Sequence, residues 1–515
     1  MTSLQLEAGE DARPPAEGRA IELRVRVRPR GTVRSSRWVV AVCLCLTAGV
    51  EVVHSIWLSV STSPFEDEGL YLYIGHRVLD HIATGSPITE RPGSFFSGSP
   101  WLYPPLAALA DDLGGLAAAR ALSLLFVIGA GLAVYGVASE LFGRWSGLLA
   151  NAVFLSNGSV MYQAHLATFD SMMMFLMATA CYVGVKSARA NHLTYGLVVS
   201  VLLTLACFTK YAGVAYVPVV ALVCAAAGWS HWGWLVVRRA LYVILATIGL
   251  IYFWIQLFAI DLIPGIELTT LDRTALSPAS PSKLAALAVV YSGPWIVAAL
   301  IAWLTGRRRD LFIGAALIVG TVVGPVSQIR MHESTSFAKH LAFGMVFAAP
   351  LVGHLLARLL KVTRFKALPT VAGFAVLLLV IGLTTSTQFL TAWVDDRPLV
   401  QPLLQALKAS PGKVVLSEQG AAERYLLRNE IGPNQWADTY SFPYDHKSRM
   451  PAYLEAIQQS HFGVISLSLT TTYGKEIYKY LITNSTPYIL GTKVPRYFRG
   501  ALVGSWLVFV PRADG

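Results

Sequence analysis

About eleven apolar runs, each long enough to cross ~30 Å of hydrocarbon as a helix, recur along this chain. They lie at roughly 38–60, 119–141, 146–164, 168–185, 193–209, 211–228, 240–259, 284–304, 311–327, 338–357 and 368–392. No other feature restricts the possible folds so far, because inside lipid every backbone polar group must find its partner within the protein. The composition agrees. Of the 515 residues 54% are hydrophobic and 14% charged, against about 25% charged in soluble domains. The chain is read as a polytopic α-helical membrane protein.

The net charge of +11 does not point to nucleic acid. The basic residues gather in short clusters between apolar runs, as they do in cytoplasmic membrane loops. With the N-terminus taken as cytoplasmic, the inner turns hold Arg144; Lys186 and Arg189; Arg238 and Arg239; Arg307, Arg308 and Arg309; and Arg358, Lys361, Arg364 and Lys366. The outer turns hold one or two basic residues each. Residues 1–36 carry Arg24, Arg26, Arg28, Arg30, Arg34 and Arg37 just before or at the first run, with no acid after Glu22. They read as a disordered basic cytoplasmic tail. The first run is too long for a signal-peptide core and no A-x-A site follows it, so it reads as a retained anchor in the plasma membrane.

An odd number of spans leaves the C-terminus outside. The division expected is a tail (1–36), a transmembrane domain (37–394) and an extracytoplasmic α/β domain (395–515). In the last, "GKVVLSEQG", "FGVISLSL" and "SWLVFVP" read as strands, and "AERYLLR" and "AYLEAIQQS" as helices. Cys43, Cys45, Cys181, Cys207 and Cys224 all fall inside apolar runs and read as small core residues. No P-loop, zinc spacing or strand–G-x-G-x-x-G–helix pattern is present.

Mapped on this topology, most notable polar residues fall on the outer face. Asp67, Glu68 and His76 follow the first span, in a stretch read as a loop to about residue 118 that also holds Tyr103-Pro104-Pro105 and Asp111-Asp112. His165 and Asp170 flank the next outer turn, and Lys210 stands in the third. Asp272 and Arg273, then Arg330, His332, Glu333 and Lys339, occupy the later ones. Carboxylates from early loops and cations from later ones can meet at one membrane-proximal cavity. Cations there suit the phosphate of a lipid-linked sugar, and a carboxylate suits deprotonation of an attacking hydroxyl. Each residue also has a plainer reading: Asp67 as a helix cap or solvated acid, Asp170 as the cap of a helix starting near Ser171, Lys210 as a snorkelling lysine. Glu51 and His54, three apart in the first span, read as a proton relay or as a buried polar pair beside Arg120.

The pattern resembles polyprenyl-phosphate-dependent glycosyltransferases of the GT-C fold, and glycosyltransferase family 39 in particular, with its protein O-mannosyltransferases and aminoarabinose transferases. The resemblance rests on "FEDEGLYLY" with Asp67-Glu68, "YPPLAALAD", Thr168-Phe169-Asp170 and Lys210-Tyr211, in that order. It covers about residues 37–392, and the chain lacks the MIR-type repeats of eukaryotic protein mannosyltransferases. What it implies is inverting transfer of a sugar from a polyprenyl-phosphate donor to an extracytoplasmic glycan, lipid or protein acceptor. Asp67 would be the base, with Glu68 and Asp170 as further catalytic candidates. Lys210, Arg330 and Lys339 would bind the donor phosphate, and Tyr71, Tyr103 and His332 the substrates. Asp67, Glu68 and Asp170 are also the residues on which a divalent Mg or Mn ion could rest, although relatives in this family do not generally need one. The competing classes are a transporter or flippase of lipid-linked sugars, which would place ionisable residues at mid-membrane in matching halves, and a non-catalytic assembly protein, which would tolerate loss of Asp67.

Overall fold

The computed structural model describes residues 37–189, 193–271, 277–439 and 442–512. The basic tail, Asp272 and Arg273 lie outside them. Thirteen helices build the first part: α1 (Arg37–Ser61), α2 (Glu66–Thr84), α3 (Tyr103–Phe142), α4 (Arg144–Leu155), α5 (Gly158–Ala164), α6 (Phe169–Lys186), α7 (Leu193–Thr209), α8 (Val217–Trp232), α9 (Leu235–Ile266), α10 (Pro281–Leu304), α11 (Leu311–Arg330), α12 (Phe337–Val362) and α13 (Leu368–Leu390). Among the described residues eight helices are long and apolar enough to cross a membrane, and a ninth span arises if the bent pair α5–α6 counts as one. The residues 194–209 of α7 form a shorter apolar helix. This is a multi-pass membrane protein.

Two stretches differ from the sequence expectation. The run 146–164 is not one helix. Asn157 interrupts it, and its side-chain oxygen accepts from the N–H groups of Ser159 and Val160 and so starts α5. The pair α5–α6 then bends by 116°. The stretch expected as one long loop contains α2 and the first third of α3. α3 begins at Pro104 and Pro105, which suit a first helical turn. It breaks at Gly114 and Gly115, the latter with φ +67, and only then continues as the expected span.

The connections rich in Lys and Arg share one end of the bundle. Trp145 meets Phe365 at 6.4 Å between ring centres, Arg358 donates to Thr305 O at 2.7 Å, and Trp232 donates to Ala188 O at 2.9 Å. The opposite end carries α2 and the C-terminal domain. Between them the main core is packed at close quarters. A Cβ at Gly353 of α12 would stand 2.5 Å from Ser146 O and Ala150 N of α4, so no larger residue fits that crossing.

The C-terminal domain comprises α14 (Arg397–Lys408), β1 (Val414–Ser417), α15 (Ala421–Leu426), β2 (Trp436–Asp438), α16 (Arg449–Gln458), β3 (Phe462–Leu467), α17 (Thr472–Thr483), β4 (Tyr488–Phe498) and β5 (Ala501–Pro511). The sheet order is β2-β1-β3-β5-β4. β1 runs parallel to β2 and β3, whereas β5 runs antiparallel to β3 and β4. Alternate residues feed opposite faces. Leu416 and Ile465 pack with Tyr453, Ile457 and Ile477, while Val415 and Val464 pack with Leu399, Leu403 and Trp506.

Such sheets usually take ligands in the crevice beyond the carboxyl ends of the parallel strands, where the strand order reverses. Here that crevice lies between β1 and β3 and is filled by the protein itself. The Glu418 carboxylate accepts from the backbone N–H groups of Ser468, Leu469, Thr470 and Thr471 at 2.6–2.8 Å.

Candidate active site

A cavity of about 520 Å³ opens at the α2 end of the bundle, below the C-terminal domain. Three charged residues on its wall, and a fourth buried behind them, come from four separate elements: Asp67 from the first turn of α2, Lys339 from that of α12, Lys210 from the link between α7 and α8, and the buried Asp170 from the first turn of α6. Lys339 Nζ donates to Asp67 Oδ2 at 2.6 Å and stands 3.4 Å from Asp170 Oδ2. Lys210 Nζ donates to Asp170 Oδ1 at 2.5 Å. The array alternates in sign and is neutral overall, which is how four charges can be held beside a membrane core.

Its members are not equivalent. The Asp67 side chain is 35% exposed, Lys339 4%, Lys210 7% and Asp170 0%. Asp170 belongs to the helix that begins at Phe169, so it does not cap it. It is the buried counter-ion of both lysines. Lys210 also lies over the rings of Phe169 and Phe343, at 5.1 and 6.0 Å. Asp67, Lys210 and Lys339 all line the cavity, and Asp67 is the carboxylate of the array that opens into it.

Glu68, next in sequence to Asp67, is 0% exposed and lies in a separate sealed network. Its two oxygens accept from Arg120 Nε and Nη2 of α3 at 2.8 and 2.7 Å, from Ala167 N at 2.8 Å and from Phe65 N at 2.8 Å. Arg120 also reaches Thr62 and Ser63 in the link from α1 to α2. Glu68 thus fixes the start of α2 to α3 and to the α5–α6 turn. Among the described residues no group of three His, Cys, Asp or Glu side chains is arranged to hold a metal ion. With Glu68 saturated by four donors and Asp170 held by lysine, the trio considered for Mg or Mn does not fit one.

The remaining sequence candidates divide. Tyr71 lines the cavity, stacked on Phe169 at 4.4 Å and edge-on to Phe96 at 5.0 Å. Tyr103 does not line it: fully buried, its hydroxyl is 2.8 Å from Ser123 Oγ. Arg330 and His332 are exposed and away from the cavity wall. His165 packs edge-on to His54 of α1 at 4.7 Å, and Glu51 is wholly buried in the same helix. His76 and Asp111 belong to the seam with the C-terminal domain. Asp111 accepts from Tyr425 at 2.5 Å and Arg428 at 2.9 Å, and meets His76 at 2.7 Å. At the same seam a Cβ on Gly69 of α2 would stand 2.6 Å from Ala421 O, so α15 lies directly on α2.

Sequence reasoning missed Glu66, Tyr162, Tyr291 and His340, all on the cavity wall. Two of them had a signal in plain view: Glu66 precedes Asp67, and His340 follows Lys339. Glu66 is an exposed residue of the cavity wall whose carboxyl is nonetheless partly shielded from water by the protein around it. Burial, then the charges of Asp67 and Glu423, raise its pKa to about 7.

Residues 98–257 match the family model described as dolichyl-phosphate-mannose-protein mannosyltransferase. No curated protein sequence matches the chain. Among solved structures, ArnT from Cupriavidus metallidurans bound to undecaprenyl phosphate is similar with a TM-score of 0.62 at 14% identity, over 93% of this chain and 99% of that one. The archaeal oligosaccharyltransferase AglB from Archaeoglobus fulgidus, in complex with an inhibitory peptide and a dolichol-phosphate, is similar with a TM-score of 0.54 at 12% identity, over 88% of this chain and 69% of that one. At these identities what is shared is the fold. The chain has the GT-C fold of these two membrane glycosyltransferase structures, and its residues 98–257 are similar to the dolichyl-phosphate-mannose-protein mannosyltransferase family.

Proposed function

We propose that the protein is an inverting membrane glycosyltransferase that moves a sugar from a polyprenyl-phosphate donor to an acceptor hydroxyl on the extracytoplasmic side. The observation that carries this reading is the Asp67–Lys339–Asp170–Lys210 array at the cavity, with the carboxylate of Asp67 open to it and both lysines on its wall. The Lys- and Arg-rich loops gather at the end away from the cavity, which supports reading that end as the cytoplasmic side.

In the proposed reaction the donor's isoprenoid chain stays in the bilayer and its phosphate lies against Lys339 and Lys210. The acceptor oxygen loses its proton to the Asp67 carboxylate as it attacks the anomeric carbon. The bond from that carbon to the phosphate oxygen breaks, and the electron pair leaves with the polyprenyl phosphate. The two ammonium groups offset the charge gathering there. A single displacement inverts the anomeric configuration and needs no covalent sugar–enzyme intermediate.

Lys339 links the two halves of this chemistry. Before the donor arrives it is paired with Asp67 and occupies one of the carboxylate's oxygens. A phosphate that draws Lys339 to itself frees Asp67 at the moment the sugar is in place. Asp170 keeps Lys339 and Lys210 charged throughout. Glu68 and Arg120 position Asp67 without touching the substrates. Tyr71, Tyr162 and Tyr291 offer ring faces and hydroxyls for a sugar.

The test uses the full chain in lipid nanodiscs with radiolabelled polyprenyl-phosphate sugars. Wild type should consume one of the donors. Asp67→Asn should bind that donor and fail to turn it over. Wild-type turnover by Asp67→Asn would move the base elsewhere, and no donor consumption by the wild type would remove the reading.

A further inference from the structure

The β4–β5 hairpin is longer than the sheet that holds it. Val494, Trp506, Val508 and Phe509 are buried in the domain, but the last rungs project beyond it. There Tyr497 pairs with Leu502 and Phe498 with Ala501. Tyr497 is 49% exposed, Leu502 64% and Val503 49%. The two-residue turn Arg499–Gly500 has φ of +50 and +78, so both residues take the left-handed conformation of a tight hairpin turn. The result is a firmly built protrusion with an apolar tip.

The place where the tip lands suggests what covers it. Arg499 donates through Nε to Thr391 O at 3.2 Å and through Nη2 to Gln388 O at 2.8 Å, at the end of α13. α13 is one of the membrane-spanning helices, and it is only 22% buried within the protein. Its outer side exposes Val376, Leu377 and Val380. The hairpin tip therefore continues a lipid-facing surface at the level where a span ends. Tyrosine, phenylalanine and arginine beside aliphatic residues suit that level, where ring and guanidinium face the headgroups and apolar atoms face the acyl chains.

We propose that the tip of the β4–β5 hairpin, Tyr497 to Val503, is seated in the bilayer interface beside the end of α13, so that the C-terminal domain holds the membrane surface directly as well as through the bundle. The partner is the lipid surface itself. The same turn of α13 presents Phe389 to the cavity, so this contact borders the wall of the site. The proposal rests on the membrane-spanning character of α13 and is independent of the reaction.

The experiment uses full-length protein in nanodiscs with Cys43, Cys45 and Cys224 replaced by Ala. A single environment-sensitive fluorophore is placed at Leu502→Cys, at Val503→Cys or, as a control on the exposed face of α17, at Lys475→Cys. Lipids carrying a doxyl quencher near the headgroup should quench the labels at 502 and 503 several-fold more than the label at 475, while aqueous iodide should do the reverse. Equal iodide quenching at all three positions, with no doxyl effect at 502 and 503, would overturn the proposal. So would labels at 502 and 503 shielded from both quenchers, which would mean that protein covers the tip instead.

Discussion

Two ion-paired clusters meet at the first turn of α2, one residue apart in sequence, and they behave as opposites. At Glu68 and Arg120 every donor and acceptor is matched, and nothing opens to solvent. At Asp67 the partner is a lysine shared with Asp170, and a third of the carboxylate's surface faces the cavity. A sealed pair cannot exchange its partner without leaving a buried charge bare, which costs about 3–5 kcal/mol. At the second pair only Asp67 opens to the cavity, so an anionic ligand can take its place on the buried Lys339 without leaving a buried charge bare. The first cluster is suited to holding the start of α2 in place, the second to taking part in chemistry.

The most direct challenge to that contrast is at its open member. Asp67→Asn should lower sugar transfer by about 10²–10⁴-fold while donor binding and the folded state survive, as read by radiolabel transfer alongside thermal unfolding. Next comes the sealed pair. Glu68→Gln should destabilise the bundle by about 3–5 kcal/mol, and Glu68→Gln with Arg120→Met should recover part of the loss, measured as unfolding temperature in detergent. A stable but inactive Glu68→Gln would mean that the sealed pair also does chemistry.

Lys339→Met should weaken polyprenyl-phosphate binding by about 1.5–3 kcal/mol, the value of a hydrogen bond to a charged group, read by titration of the lipid phosphate. It should also leave Asp67 unpaired before the donor binds, so slow donor hydrolysis without acceptor should rise relative to transfer.

A smaller effect comes from pH. Because the pKa of Glu66 is raised to about 7, the folded state holds its proton more firmly than the unfolded chain does. Its stabilising contribution is complete below the ordinary 4.5 and is lost as pH rises through about 7. Glu66→Gln should flatten that slope in thermal unfolding followed across this range. Glu418 runs the other way. Burial alone would raise its pKa, but the backbone donors of Thr471, Leu469 and Ser468 hold it below 4.5, so its contribution is present above that value and lost on acidification. The smallest effect should come from Arg330→Ala and His332→Ala. Both are exposed and off the cavity wall, so stability should stay within about 0.5 kcal/mol and transfer should be unchanged. A clear loss of donor affinity in Arg330→Ala would widen the phosphate site beyond the two lysines.

Much of the site was legible in the sequence, for physical reasons. Asp67, Asp170, Lys210 and Lys339 are charges at the ends of long apolar runs, where charge is costly unless it has a task. The chain order of the spans assigns those ends to one side. α2 and the start of α3 look like loop in the sequence because they are neither apolar enough to span nor marked by alternation. They form because their inner faces, Tyr71, Leu72, Ile74 and Tyr103 among them, find a core with Phe169 and Tyr425. The wall residues Tyr162, Tyr291 and His340 carry no local mark. Each becomes a site residue only when helices distant in sequence converge.

That this is a membrane bundle followed by an α/β domain is written in the chain itself, because hydrocarbon admits no other use of so many apolar runs. So is the division of acids and cations among the turns. Which of the two adjacent acids opens to the cavity was decided by packing. Successive residues on a helix point about 100° apart, so Asp67 and Glu68 had to part company. The partners that sealed Glu68 are Arg120 and Ala167, 52 and 99 residues away. No reading of a short motif contains such distances, since they are set by how the helices pack.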